Sequence, residues 1–492
     1  MYGLSLNNTD LDFKTLEKTI YKTVCDIACN CLKDVLERLD LMLSARRDPK
    51  EYKNKGLKKT SIHTVMGTVE YSRRIYKTQD ENGRNQYIFL LDKYLKSETI
   101  GRVSSNLAEK IVERALEEPY RKTAQAIESL SNKGLSHTAV WNVVQVVGEK
   151  LDAQERQLIR EYQQGKSKGQ RCVKVLFHEA DGIWLSMQGK DRPCKGKSKK
   201  KELKLAVNYE GWKKRAGQKE GYVVHNKTVC SGFSSSREFK ELWDATVAEN
   251  YNTDEIEVRI INGDGASWIK AGLGEEGSHF QLDPFHISQA IIKKVPHKKQ
   301  ASKLKRFLRQ GEVDKGFDYL TELLIQNNKD QDKFKKLEDL YNYLARNHEG
   351  LIPFHLRGID LPKPPQGLEY RTLGTMEHNV CDIVALRMKG RKMSWSINGA
   401  SHLAKLLAAR ASGTLYANLD GLLGGAVSEE KLEEVIEVVL LSAAEVNKKP
   451  KESKFYKIQE SPVPFTGKAL TEGRKAIQRL VGNRIASELV YR

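Results

Sequence analysis

Long hydrophobic runs are missing from this sequence. No apolar stretch in its 492 residues approaches the roughly 18–20 that a membrane-spanning helix needs. The opening stretch, MYGLSLNNTDLDF, has no basic-then-apolar leader, so a cytoplasmic location is expected. Cysteine pairing is missing too. The seven cysteines are odd in number, and Cys172, Cys194, Cys230 and Cys381 are scattered, which indicates reduced thiols. Cys25, Cys29 and Cys31 cluster, but helical periodicity surrounds them and no Cys-x-x-Cys pair follows; small buried residues explain them better than a zinc site. There is no internal repeat. Acidic charge is the scarcer sign: 64 Asp and Glu stand against 83 Lys and Arg, a net +19.

A fold does not need that excess, which repels itself in the compact state. A polyanion such as nucleic acid would account for it, because each Lys or Arg on a phosphate releases counterions. A generally basic surface is the alternative. The length exceeds what one hydrophobic core fills, so two to four domains are expected.

Apolar residues recur at helical spacing from about Asp10 to Arg46 (Phe13, Leu16, Ile20, Val24, Ile27, then Val35, Leu36 and Leu39), predicting a long amphipathic helix that packs on its own domain or on a second subunit. From Lys58 to Leu90 short β segments take over, with Asn82-Gly83 as a tight turn, and a sheet of about three strands is predicted. Helical periodicity returns from Ser104 to Tyr162. Within it a helix with Ala124, Ile127 and Leu130 inward, a turn at Asn132-Lys133-Gly134 and a second helix capped by Ser136 form a helix-turn-helix-like segment. The second helix would bury Val140, Val143, Val144 and Val147 and present His137, Thr138, Asn142 and Gln145, either to base edges in a major groove or as part of ordinary helical packing.

After a linker, GKSKGQ (165–170), the pattern is α/β: strands VKVLFHEADGIWLSMQ, ELKLAVNYEGWKK and GYVVHNKTVCSGF, helix SREFKELWDATVAENY, then strands EVRIINGDG and HFQLDPFHI. Three antiparallel-looking strands, a helix and further strands are the order of a ribonuclease-H-like sheet. Ser288 to Glu349 is helical and basic; LPKPPQG (361–367) returns the chain to a helix near Thr375. The last 80 or so residues hold one apolar helix, LEEVIEVVLLSAAEV, and a basic tail. The division expected is an N-terminal helix (1–55), a small β region (56–100) and the helix-turn-helix-like region (101–165). Beyond these come the α/β catalytic domain of ribonuclease-H-like fold (171–290 plus 370–410), its basic helical insertion (291–369) and a C-terminal region (411–492).

Asp181 ends an apolar strand and precedes glycine (HEADGIW), and Asp264 does the same (IINGDGASW). A carboxylate at a strand mouth beside glycine is placed for metal coordination, although Asp-Gly is also a common turn. Glu377 lies in the first turn of the helix after the insertion, where the helix dipole favours Glu in any case; Glu349 and Glu369 compete with it. The insertion segment IIKKVPHKKQASKLKRFLRQ spaces Lys293, Lys294, Lys298, Lys299, Lys303, Lys305 and Arg306 around a helix, as a solvated face or a DNA-backbone contact. The lysine run KGKSKKKELK (195–204) reads as a flexible hairpin. Trp184, Trp268 and Trp395 are expected in the core, though one could stack on an unpaired base.

Taken in order, HEADGIW (178–184), GDGASWI (263–269), DPFHI (283–287) and GTMEHNV running on through RMKGRKMSW (374–395) resemble the DDE transposases of the ISLre insertion-sequence family, relatives of the Mutator-like group. The resemblance extends from the N-terminal helix to about Arg410. It implies a two-metal active site using Mg²⁺ or Mn²⁺ with Asp181, Asp264 and Glu377 as ligands, and His286, in Asp283-Pro-Phe-His286, beside the scissile phosphate or a carboxylate. It implies double-stranded DNA as partner (terminal inverted repeats and target), at least a dimer when two ends are joined, and association with the bacterial nucleoid when DNA is bound. A metal-dependent nuclease on the same fold, which cuts without joining, and a non-catalytic DNA-binding regulator remain as alternatives.

Overall fold

The computed structural model describes residues 12–424 except 96–98, 132–133, 194–197, 216, 218–220 and 391. The apolar helix expected within the final 80 residues and part of the lysine run lie outside these. Helix α1 (Phe13–Arg46) starts where the Asp12 side chain accepts from the Thr15 N–H. Its first half carries the expected stripe but keeps it in solvent, Phe13 being 77% exposed. Further along, Leu36 packs with Val69 and Leu91 against a three-stranded antiparallel sheet, β1 (Lys53–Thr64), β2 (Gly67–Gln79) and β3 (Asn85–Phe89). Helix α2 (Leu90–Leu95) follows.

Helices α3 (Ser105–Glu117), α4 (Tyr120–Ser131) and α5 (His137–Gln163) come next. Ser136 caps α5 as expected, accepting from the Ala139 N–H. Ala124 and Ile127 are buried, while Asn132, Lys133 and the Leu130 side chain lie outside the described residues. These helices do not stand apart as a separate reader. Val140, Val143, Val144 and Val147 share one core with Phe177 of the central sheet and Leu403 and Leu407 near the end of the described chain.

The central sheet has five strands. β4 (Val175–Ser186) pairs antiparallel with β5 (Lys200–Tyr209), and β5 with β8 (Thr228–Gly232). On its other side β4 runs parallel to β9 (Val258–Gly263), and β9 to β10 (Ser278–Leu282). Helix α6 (Ser236–Asn250) joins β8 to β9, and α7 (Ser267–Lys270) follows β9. Three sequence expectations are corrected here. GYVVHNKTVCSGF is not one strand: β7 (Tyr222–Val224) pairs with β6 (Trp212–Lys214), which pairs with β11 (Leu368–Glu369), and Asn226, at φ 51°, separates β7 from β8. The lysine run is not a hairpin throughout, because Lys200 to Lys204 already belong to β5 and Lys204 is buried, donating to the Ser234 carbonyl. DPFHI is not strand. Asp283 caps α8 (Pro284–Lys294) by accepting from the Phe285 N–H, and Pro284, which cannot donate to a strand ladder, suits the first helical position.

Helices α8, α9 (Lys298–Arg309), α10 (Val313–Gln326) and α11 (Gln331–Arg346) form the expected basic insertion. It packs on the second face of the sheet: Leu304, Leu320, Leu337 and Leu344 share a core with Leu176 and Phe280. The chain then enters α12 (Met376–Asn379), a π-helical stretch (Val380–Ala385) and α13 (Leu386–Met388), and closes with α14 (Ile397–Ala411) and α15 (Leu415–Leu423). Trp268 and Trp395 are buried as expected, whereas Trp184 is 49% exposed. Among the described residues no helix is long and apolar enough to cross a membrane.

Candidate active site

The site is built where β9 leaves β4. The last parallel pair is Ala180 with Gly263, so Asp181 and Asp264 are the next residues on neighbouring strands. Asp181 does not end its strand, contrary to the sequence expectation; β4 continues to Ser186. It continues through Gly182, over which the Glu202 side chain lies; a Cβ there would come 2.0 Å from Glu202 Oε1, the movable end of that side chain. Asp264 does follow its strand directly. Its side chain accepts from the Ala266 N–H at 2.8 Å and its carbonyl accepts from the Tyr343 hydroxyl at 3.1 Å. Gly265, at φ +90°, approaches Asn347 so closely that a Cβ would meet its Oδ1 at 2.4 Å. Tyr343 and Asn347 flank the end of α11, so the insertion holds the turn that carries the second aspartate.

Burial sets the electrostatics. The Asp181 carboxyl is pushed up to about 6, chiefly by desolvation; Asp264 and Asp283 add repulsion, while His286 and the Gly182 N–H oppose the shift. His286 stands at the start of α8 with Nδ1 3.2 Å from Asp283 Oδ2 and Nε2 4.0 Å from Asp181 Oδ1. The hydrogen bond to Asp283 raises its pKa against the opposing effect of burial. The buried Asp283 thus both caps the helix and orients the imidazole, leaving Nε2 directed toward Asp181.

Glu377 is placed differently. It is exposed on α12, and among the described residues it is not gathered with the two aspartates into a group that could hold a metal ion. What ties its helix to the sheet is Glu179, which the sequence reading passed over although it lies in HEADGIW. Glu179 is fully buried and accepts from Tyr209 Oη at 2.5 Å, Asn262 Nδ2 at 2.9 Å, the Met376 N–H at 3.1 Å and the Thr375 hydroxyl. By strand alternation it shares a face with Asp181. Glu202 was also missed. Burial raises its carboxyl above the ordinary range, Lys204 opposes that shift, and the neighbouring Asp264 adds to it.

Hard oxygen donors on adjacent strands suit Mg²⁺ or Mn²⁺, and a cation would stabilise the Asp181 charge that burial disfavours. No set of three or more His, Cys, Asp or Glu side chains among the described residues is gathered closely enough to hold a metal ion. Asp181 and Asp264, adjacent on neighbouring strands, are the carboxylates that would be offered to such an ion, which commonly uses one or two and fills its shell with substrate oxygens and water. Glu377 is not gathered with them.

The DNA candidates divide. His137, Thr138 and Asn142 are exposed on α5, but Gln145 is half-buried and its Oε1 meets His402 Nδ1 at 2.9 Å. Helical packing, rather than a free face, holds its side chain. In the insertion Lys293, Lys298, Lys299, Lys303 and Arg306 are exposed, and Lys294 and Lys305 are half-buried.

The fold and this pair of aspartates on neighbouring strands define an α/β protein with a carboxylate site held between its sheet and a helical insertion. The chain belongs to the uncharacterised protein family UPF0236, whose family model matches residues 6–420. It is similar to a UPF0236 protein of Caldanaerobacter subterraneus subsp. tengcongensis, 26% identical over 382 residues, which cover 76% of this chain and 73% of that one. The name of that relative joins eleven loci. A second protein of the same organism, 25% identical over 409 residues (82% of this chain, 78% of the relative), joins four. A relative from Streptococcus gallolyticus, named for its place in the vanSb 3′ region, is 26% identical over 421 residues (82% of this chain, 84% of the relative). Relatives repeated at many loci are compatible with a mobile element.

Proposed function

We propose that the protein is a DDE-type transposase of a bacterial insertion sequence, binding the element's DNA ends and catalysing metal-dependent strand cleavage and strand transfer. The observation that carries this reading is the pair Asp181 and Asp264 on neighbouring parallel strands, with His286 facing the first. We read the central sheet as ribonuclease-H-like; its order, numbered along the chain as 3-2-1-4-5 with the first three strands antiparallel and the last two parallel, supports that. The multi-locus relatives support a mobile element.

In this reading Asp181 and Asp264 would hold Mg²⁺ or Mn²⁺, and Glu377 would be the third carboxylate. Bound divalent ions would supply charge stabilisation at the scissile phosphate and activation of the attacking hydroxyl. His286, oriented by Asp283, would, when protonated, offer Nε2–H to a phosphate oxygen beside Asp181. The exposed cations of α8 and α9 track the backbone, and joining two ends calls for at least a dimer.

The test is strand cleavage and joining on DNA carrying the element's own ends, with Mg²⁺ or Mn²⁺, comparing wild type with Asp264→Asn of unchanged fold and DNA binding. Joining that disappears only in the variant supports the transposase. Cleavage without joining makes the protein a nuclease. Binding with neither activity makes it a regulator.

A further inference from the structure

A cleft of about 570 Å³ opens between the insertion and the segment leading to α12. Its floor is apolar, with Leu282 at the end of β10, Ile287 on α8 and Leu373 ahead of α12; its rim carries Lys305, Arg306 and Arg309 from α9. No carboxylate is among the residues that line it, and none of the three rim cations has an ion-pair partner among the described residues. This contrasts with the acidic cluster alongside. Ile287 follows His286 directly and Leu282 precedes Asp283, so the cleft adjoins the candidate active site.

An apolar floor under unpartnered cations selects a ligand with a flat, poorly hydrated body and an anionic group. The volume lies within the roughly 300–1,000 Å³ of small-ligand pockets, enough for one nucleotide and too small for a duplex. The charge asymmetry sets the polarity: the base lies on the leucine and isoleucine floor and the phosphate on the rim. We propose that this cleft binds a single unpaired nucleotide, base inward and phosphate against Lys305 and Arg309. The ligand can be a free mononucleotide or one residue of a DNA strand unpaired next to the reacting phosphate; the second source rests on the transposase reading.

Three fluorescent or competing probes separate the cases, all measured in EDTA so that the carboxylate site plays no part. They are a DNA duplex with one unpaired thymidine, the fully paired duplex of otherwise identical sequence, and free thymidine monophosphate. A bulged base has already left the stack, so its burial is not opposed by unstacking, and the bulged duplex is expected to bind about tenfold more tightly than the paired one. That preference should vanish in Lys305→Ala/Arg309→Ala. It should also vanish in Thr372→Trp, which fills the cleft and leaves its charge intact. Competition by thymidine monophosphate without any preference for the bulge assigns the cleft to a free nucleotide. Equal binding of both duplexes with no competition overturns the proposal, and so does a preference that survives both variants. Neither result bears on whether Asp264→Asn abolishes joining, so the two readings fail separately.

Discussion

Asp181 carries a charge that the folded protein disfavours, and this makes its titration visible in stability. A carboxyl whose folded pKa is about 6 against an ordinary 3.8 holds its proton more tightly when folded. Its contribution is therefore complete below pH 3.8 and is lost as the pH rises through 6. Without divalent metal, Asp181→Asn should raise the melting temperature at pH 8, by the equivalent of about 2–3 kcal/mol, and have little effect at pH 4. Thermal melts in EDTA at both pH values check this, and a variant less stable than wild type at pH 8 would contradict it. Added Mg²⁺ or Mn²⁺ should narrow the difference at pH 8 by stabilising the wild type alone. Gly182 offers a second test at this scale. Gly182→Ala brings a methyl group against the movable end of Glu202, so the side chain should shift at a cost of about 1 kcal/mol or less, and Glu202→Ala in the same chain should restore most of that. Additive effects in the double-mutant cycle would mean that the two residues do not meet.

Between elements, the strongest tie at the site is one buried carboxylate holding a helix to a strand. Glu179→Ala would leave Tyr209, Asn262, Thr375 and the Met376 N–H without their acceptor. Each buried donor left unpaired costs about 1–3 kcal/mol, and relaxation of α12 recovers part of it; we expect a loss of about 3 kcal/mol or more, read from the urea midpoint. Glu179→Gln keeps one acceptor oxygen and should fall between. If Glu179→Ala melts with wild type, α12 is held by something else. The same scale explains why the insertion belongs to the site. Tyr343 and Asn347 brace the turn bearing Asp264, so disturbing α11 reaches the carboxylates without touching them. The π-helical stretch Val380–Ala385 lies directly behind Glu377, an irregularity common near functional sites.

At the scale of the whole molecule, the net charge of +19 is distributed unevenly. Acidic side chains gather at the strand ends, and cations occupy α8 and α9 and the rim of the cleft. If DNA follows that strip, the logarithm of its affinity should fall linearly with the logarithm of salt concentration. Removing two phosphate contacts outside the cleft with Lys298→Ala/Lys299→Ala should flatten the slope by about 2, measured on paired DNA between low and physiological salt. An unchanged slope would remove those cations from the DNA path. One feature of this scale lies outside the site. The first half of α1 leaves Phe13, Ile20 and Val24 in solvent, although its periodicity is that of a packed helix.

The alternation of patterns along the chain was sufficient to read the long first helix, the three-stranded sheet, the Ser136 cap and the helical insertion, because each depends on contacts within a few residues. The apolar strands that lead to Asp181 and Asp264 were legible for the same reason. Tertiary structure alone decided what depends on distant partners. It drew Gln145 into helix packing against His402, and it made Gly182 a vacancy for Glu202 rather than the end of a strand. It turned DPFHI from strand into helix, although Pro284 already carried that signal locally. It also made Glu179 the clamp on Glu377's helix, because burial, which converts an ordinary glutamate into the acceptor for donors on four residues, is a property of the assembled sheet and leaves no mark on the sequence around it.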